Sequence, residues 1–330
     1  MRSILSFASL TLVLSLAAQA APEKMQAAEV GQGGLSVQTR PVPRPGAGEV
    51  LIKVRAAGVN PVDWKSALRR LGMVPGKDVS GIIDTLGEGV TGWKVGDPVL
   101  GFAHQSGSYA EYAVIAVTDL ARKPKSMTFE QAAGVPIAAE TAYRALHVAG
   151  HIERGQTVLI HGAAGGVGSS AVQIAKEAGA RVIGTASPNN HEFLRSLGVD
   201  QVIDYKSQKF EDLVKNADLV LNTADAQTTA RSISVVRPGG TLVSIVGPPN
   251  PEACAAAKIR CVRLSRDSGP STAELLARVV ELADAGKFKV FVEATYPLAD
   301  AAKAWNKSRE GHTRGKLIIV VSEGPTMKHQ

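Results

Sequence analysis

The chain has 330 residues, of which 45% are apolar and 20% charged, and a formal net charge of +7. That length supports two domains with cores of their own, and the apolar share excludes a disordered chain. The basic residues are dispersed, with no run of five Lys or Arg. This excludes the concentrated footprint of a nucleic-acid binder and suits anionic small molecules.

In chain order, Arg2 precedes an uncharged, mostly apolar stretch over residues 4–18, followed by Ala18-Gln19-Ala20. Charge, apolar stretch and A-x-A site in that order predict a signal peptide over residues 1–20, cut after Ala20. The mature chain then starts at Ala21 and is secreted or periplasmic. An uncleaved N-terminal helix on a cytoplasmic protein is the alternative. No other segment approaches ~20 continuous apolar residues, so no membrane partner is expected.

From residue 24 to about 117 short strands are broken by Gly and Pro. Glu49-Val50-Leu51-Ile52-Lys53-Val54 alternates as a half-buried strand does. Ile82-Ile83, Val99-Leu100 and Tyr112-Ala113-Val114 read as further strands, with glycines at the turns between them. Together they predict a small β-barrel or sandwich. Helical character begins near Thr128 and continues over residues 141–149.

The densest signal lies at residues 157–187. Val158-Leu159-Ile160 is an apolar run of strand length. Gly162, Gly165 and Gly168 follow three apart, with Gly166 between. Ala171, Ile174, Ala175 and Ala178 then fall at helical spacing, Gly179 stops the helix, and Arg181-Val182-Ile183 starts a second strand. Strand, glycine turn, helix and strand is the order that binds a dinucleotide pyrophosphate. Glycines let the backbone approach phosphate, and the helix start offers free N–H groups and a positive dipole end.

Val202-Ile203, Leu219-Val220-Leu221 and residues 242–246 continue as short apolar strands between helical segments, the doubly wound α/β pattern. Ser271 and Glu274 form a predicted capping box ahead of an apolar helix that Gly286 ends. Lys316-Leu317-Ile318-Ile319-Val320-Val321 is a late strand expected to return to the first domain. Cys254 and Cys261 are the only cysteines. Export would let them pair, and free buried thiols are equally compatible with the sequence.

These blocks resemble the medium-chain dehydrogenase/reductase superfamily, in its zinc-free quinone-oxidoreductase and enone-reductase branch. The resemblance rests on residues 57–65 (AGVNPVDWK), 75–81 (PGKDVSG), 95–99 (VGDPV), 107–112 (GSYAEY), Thr141-Ala142, the glycine motif, residues 202–205 (VIDY), 237–240 (RPGG) and 314–317 (RGKL). It implies a GroES-like β-domain joined to a Rossmann doubly wound parallel-sheet domain, with the active site in the cleft between. Residues 21–140 would form the first part of the GroES-like domain, 141–285 the Rossmann domain, and 286–330 the return to the former. Dimers are common among relatives, so a homodimer is expected as a candidate assembly.

Zinc-dependent relatives would place a Cys near residues 60–63, a His after Pro75-Gly76 and a four-cysteine loop near residues 100–110. All are missing, so no metal is expected. For the cofactor, Thr185-Ala186-Ser187 carries no acid at the end of the second strand, which favours NADP(H) over NAD. No Lys or Arg stands in Pro188-Asn189-Asn190-His191 either, so selectivity should be modest. The resemblance places Ser187, Asn190 and Tyr205 around the adenosine phosphate and implies Arg314 as a further cofactor-binding residue. It sets Ala164, Gly165, Gly166, Val167 and Gly168 on the pyrophosphate, and Lys65, Thr141 and Val246 along the rest.

The same resemblance implies Asn60, Asp63 and Lys65 as the catalytic set. Lys65 would hydrogen-bond the substrate carbonyl as hydride reaches the β-carbon, Asp63 would orient Lys65, and Asn60 would hold the nicotinamide ribose. His104, Tyr109 and Tyr143 are candidate proton donors. The expected activity is NADPH-dependent reduction of quinones or α,β-unsaturated carbonyls. A nicotinamide-nucleotide-binding sensor or stabilising protein without turnover is the alternative.

Overall fold

A computed structural model describes residues 21–67, 70–105, 107–265 and 269–322. The expected signal peptide therefore lies outside the described residues. The first part of the chain supplies β1 (Lys24–Gly31), β2 (Gly34–Pro41), β3 (Glu49–Val59), β4 (Asp78–Leu86), β5 (Pro98–Phe102), β6 (Tyr112–Ala116) and β7 (Leu120–Arg122). The middle supplies β8 (Thr157–His161), β9 (Arg181–Ala186), β10 (Gln201–Asp204), β11 (Ala217–Asn222), β12 (Val236–Ser244) and β13 (Arg260–Arg263), and the end supplies β14 (Val292–Pro297) and β15 (Lys316–Val320).

β1 and β2 make an antiparallel hairpin. β3 is the centre of a seven-stranded sheet drawn from both ends of the chain, in the order β14-β15-β3-β4-β5-β7. One edge of β3 is shared: β6 pairs with its first half and β15 with its second. That sharing explains why β3 runs to Val59, past the alternating stretch that ends at Val54. The extra residues are held by a strand far away in sequence.

The six middle strands form one parallel sheet, in the order β10-β9-β8-β11-β12-β13. The chain winds outward from β8 in one direction and from β11 in the other. Where the two halves part, the strand ends leave a crevice, the place where open α/β sheets bind ligands. The helix Gly166–Glu177 packs on β8 and β9, Pro136–Tyr143 packs on that helix, and Thr272–Asp284 packs on Pro136–Tyr143 and on β7, all within one apolar core that includes Ile160, Ala171, Ile174 and Leu276. The capping box forms as expected, with Ser271 accepting from Glu274 N and Glu274 accepting from Ser271 N. β12 stops at Ser244, short of the expected Val246. The Ser244 Oγ accepts from Val246 N and Gly247 N and turns the chain out of the sheet.

Cys254 and Cys261 form a disulfide that ties the helix Pro251–Ala256 to the edge strand β13. Among the described residues no helix is long and apolar enough to cross a membrane.

Candidate active site

The glycine loop joins β8 to the helix Gly166–Glu177 across the crevice. Gly162 has φ +66°, a conformation that L side chains rarely adopt. A Cβ on Gly168 would lie 2.1 Å from Gly162 O, so the helix can approach the strand only without one. At Gly165 a Cβ would meet nothing nearer than Gly162 O at 3.5 Å. Its protein side is open, and glycine there leaves room for a ligand. Among the described residues the N–H groups of Gly166, Val167 and Gly168 make no hydrogen bond outside their own helix, which starts with a free positive dipole end. These features fit a dinucleotide pyrophosphate. Ala164 is buried in the loop, and Val167 is half-buried.

One end of the crevice opens into a cavity of ≈ 780 Å³ whose lining includes Ser187, Asn190, Phe193, Lys206, His312 and Arg314. The local loop carries no base, but the fold imports them. The Arg314 guanidinium donates to Asn190 Oδ1 and Asn189 O, both at 2.7 Å, and lies over the Phe193 ring. Two acids, Glu192 and Glu293, also line this cavity. Tyr205 and Val246 stand exposed just past the C-terminal ends of β10 and β12, and Thr141 is half-buried on the helix Pro136–Tyr143.

At the other end β3 passes through Asn60 into the helix Pro61–Ala67. Proline suits the first helical position. Asp63 lies in the first turn, where its Oδ2 accepts from Asn60 N at 2.8 Å and from the Tyr109 hydroxyl at 2.9 Å. Its Oδ1 is buried and has no hydrogen-bond partner among the described residues. Burial, opposed by the Asn60 N–H and aided by the nearby Asp78 charge, pushes the Asp63 carboxyl up to about 7. Burial first, then the Asp63 charge, raises the Tyr109 phenol well above its ordinary value.

The expected orientation of Lys65 by Asp63 is not formed. Residues two apart on a helix point to different sides. Asp63 is buried while Lys65 is exposed, with its ammonium 5.2 Å from the Trp64 ring centroid. Tyr109 is fully buried with its hydroxyl committed to Asp63, which removes it as a donor to substrate. The His104 ring packs edge-on against Phe102, and Tyr143 stacks on His147.

Sequence reasoning missed two residues here. The Lys316 ammonium reaches Asn60 Oδ1 at 2.5 Å and Asp78 Oδ2 at 3.0 Å, and Asn60 Nδ2 donates to the same Asp78 oxygen at 2.9 Å. All three residues are buried. The available signal was a lysine opening an otherwise apolar strand. The positions where zinc-dependent relatives carry ligands hold residues 60–63 and Lys77-Asp78. The Lys77 ammonium donates to His104 O, Asp63 Oδ2 accepts from Asn60 N and Tyr109, and Asp78 accepts from Lys316, Asn60 and Ile137 N. Among the described residues no group of three or more His, Cys, Asp and Glu stands close enough to hold a metal ion.

The two ends of the crevice are joined through the backbone. Gly315 N donates to Ala164 O at 2.8 Å, and Gly165 and Gly315 form a parallel bridge. The return strand is thereby stitched to the glycine loop.

Residues 46–125 match the family described as alcohol dehydrogenase GroES-like domain, and residues 197–319 match that described as zinc-binding dehydrogenase. A 2-methylene-furan-3-one reductase of Solanum lycopersicum is 35% identical, over 82% of this chain and 71% of its own length. An NADPH-dependent alkenal/one oxidoreductase of Arabidopsis thaliana is 33% identical, over 82% and 72%. The solved quinone oxidoreductase of Coxiella burnetii superposes with a TM-score of 0.84 at 31% identity, over 91% of this chain and all of its own.

Proposed function

The chain belongs to the medium-chain dehydrogenase/reductase superfamily, in its zinc-free quinone-oxidoreductase branch, and on that premise we propose that it is an NADPH-dependent reductase of quinones and α,β-unsaturated carbonyls. The observation that carries this reading is the bridge between Gly165 and Gly315. It ties the glycine loop to the return strand between the Arg314 cavity and the Asn60 helix, which supports a cofactor laid across the loop with its nicotinamide toward Asn60.

A bound nicotinamide supplies hydride. For an enone, NADPH, one proton and the substrate give NADP⁺ and the saturated carbonyl. For a quinone the same reactants give NADP⁺ and the hydroquinone. In this reading the residues of the chain bind, orient and neutralise. Residues 165–168 hold the pyrophosphate, while Ser187, Asn190, Tyr205 and Arg314 hold the adenosine phosphate. The absence of a carboxylate at the end of β9, with Arg314 and Lys206 in the cavity, favours the phosphorylated cofactor. Lys65 is exposed and has no ion pair among the described residues, which leaves its ammonium available to the carbonyl oxygen as negative charge develops. Solvent supplies the proton in the absence of a committed donor.

The test is turnover of NADPH with an enone and quinone panel by wild type and Lys65→Ala, with and without exhaustive chelation. Loss of one oxyanion donor lowers kcat/KM by ~10²–10³. Enones should lose that much, quinones less, and chelation should cost nothing. Lys65→Ala turning over enones at the wild-type rate removes Lys65 from the chemistry, and no turnover of any acceptor by wild type refutes the activity. We also propose export, supported by the disulfide, since such bonds persist in oxidising compartments. Intact mass of the native protein should start at Ala21, and a retained Met1 refutes it.

A further inference from the structure

We propose that Lys316 is a positioning residue for the reduction, fixing the side-chain amide of Asn60 while its stem is held against the cofactor loop. The inference rests on the nicotinamide-dependent reading above and extends it to a residue outside the expected set. Lys316 opens β15 and is 4% exposed. Its stem passes over the glycine loop so closely that a Cβ on Gly166 would lie 2.9 Å from Lys316 Cδ. Gly166 is thus glycine partly to admit this lysine.

The ammonium then decides how Asn60 stands. A lysine only donates, so it must face Asn60 Oδ1, and an ionised Asp78 only accepts, so it must face Asn60 Nδ2. With both neighbours present the amide cannot flip without setting donor against donor and acceptor against acceptor. Asp78 is itself fixed, because its Oδ1 accepts from Ile137 N at 2.8 Å. Nδ2 also donates to Gly58 O at 3.5 Å, so both of its N–H groups are engaged within the chain, and one lone pair on Oδ1 remains in a known direction for a ribose hydroxyl or the nicotinamide amide. Stability does not require this arrangement, since well-packed apolar residues often replace a buried ion pair without loss. What the polar cluster supplies is direction.

Four variants test this: Lys316→Met, Lys316→Met with Asp78→Asn, Lys316→Arg, and Asn60→Ala. Lys316→Met alone leaves a buried Asp78 charge and should melt on the order of 10 °C lower. The double variant removes that charge and should recover most of the loss. Its kcat should nevertheless stay roughly 10- to 100-fold down, with NADPH affinity within about threefold, because misplacement at the reacting end is costly while pyrophosphate contacts persist. Nicotinamide emission of bound NADPH should be stronger in wild type, where the ring is held, than in the double variant. Asn60→Ala should reproduce this behaviour, and adding Lys316→Met to it should cost little more. Lys316→Arg, able to donate to both partners, should rescue part of the rate.

A double variant with recovered melting, wild-type kcat and wild-type emission makes Lys316 a mere counter-charge and overturns the proposal. So does a tenfold loss of NADPH affinity with unchanged kcat, which assigns Lys316 to phosphate binding. If the double variant does not fold, Asn60→Ala and Lys316→Arg still decide the matter through emission and kcat. If wild type reduces no enone or quinone, the functional reading fails by itself, and the emission comparison alone judges the positioning role.

Discussion

Two buried groups should titrate against each other between pH 4 and 7, and the folded structure gives sign and size. His161 ends β8, is 1% exposed, and packs edge-on against Phe210. Ser232 Oγ donates to Thr228 O at 2.6 Å, so toward His161 Nε2, 3.1 Å away, it can only accept. The proton therefore sits on Nε2, and Nδ1 accepts from Thr185 Oγ1 at 3.2 Å. Chiefly through burial, the ring is held neutral down to about 4, against an ordinary value of 6.5. Below pH 6.5 the unfolded chain binds a proton there that the folded chain refuses. Stability thus falls as pH drops from about 6.5 to about 4, by about 3 kcal/mol at ~1.4 kcal/mol per pH unit. Asp63 runs the other way. Its carboxyl stays protonated to about 7 when folded but only to 3.8 in the open chain. Its contribution, about 4 kcal/mol on the same scale, is fully present below pH ~4 and is lost as pH rises toward 7. Wild type should therefore show a shallow dependence that hides both. Urea unfolding of wild type, His161→Gln and Asp63→Asn at half-unit steps from pH 4.5 to 7.5 separates them. His161→Gln should cost about 1–2 kcal/mol at pH 7 for a lost hydrogen bond and poorer packing. Relative to wild type it should gain stability toward pH 4.5, while Asp63→Asn should lose it. Three parallel curves would falsify the assignment of both buried protons.

Ser187→Asp places a carboxylate where the adenosine phosphate is expected, beside Arg314, and should shift kcat/KM from NADPH toward NADH by about tenfold or more; a wild-type preference for NADH defeats the reading before the variant is made. Replacing Cys254 and Cys261 with Ser opens an eight-residue loop and should cost about 2.5 kcal/mol by loop-closure entropy, read by urea unfolding, with turnover unchanged at 25 °C. An equal stability in the two proteins would show that the bond contributes nothing to the fold.

How much of this was legible depended on distance along the chain. The segment 157–187 declares itself because strand, turn and helix signals are adjacent and each has its own chemistry. The box at Ser271 and Glu274 is readable for the same reason. Asp63 and Lys65 show the limit of that method. As a loop they pass for an ion pair, but the stretch is the helix Pro61–Ala67, where such spacing separates them and buries only one. Likewise the loop at residues 188–191 carries no base in sequence. Arg314 reaches it only because β15 returns to the sheet centred on β3.

That return strand is where the site is assembled, and one glycine is its hinge point. Arg314 and Lys316 flank Gly315. On a regular strand residues two apart share a face, but Gly315, just ahead of β15, has a left-handed backbone that breaks the strand geometry and turns the two side chains apart. One therefore meets the adenosine-side cavity, and the other runs over Gly166 into the Asn60 cluster. Gly315 itself has φ +66°, and a Cβ there would lie 2.2 Å from Phe291 O. No other residue fits without moving the backbone whose N–H donates to Ala164 O. The two charges at opposite ends of the crevice are thus set by one backbone contact with the loop between them. A shift of this turn by a fraction of an ångström would disturb cofactor selection and Asn60 together, which is why neither end can be understood from its local sequence.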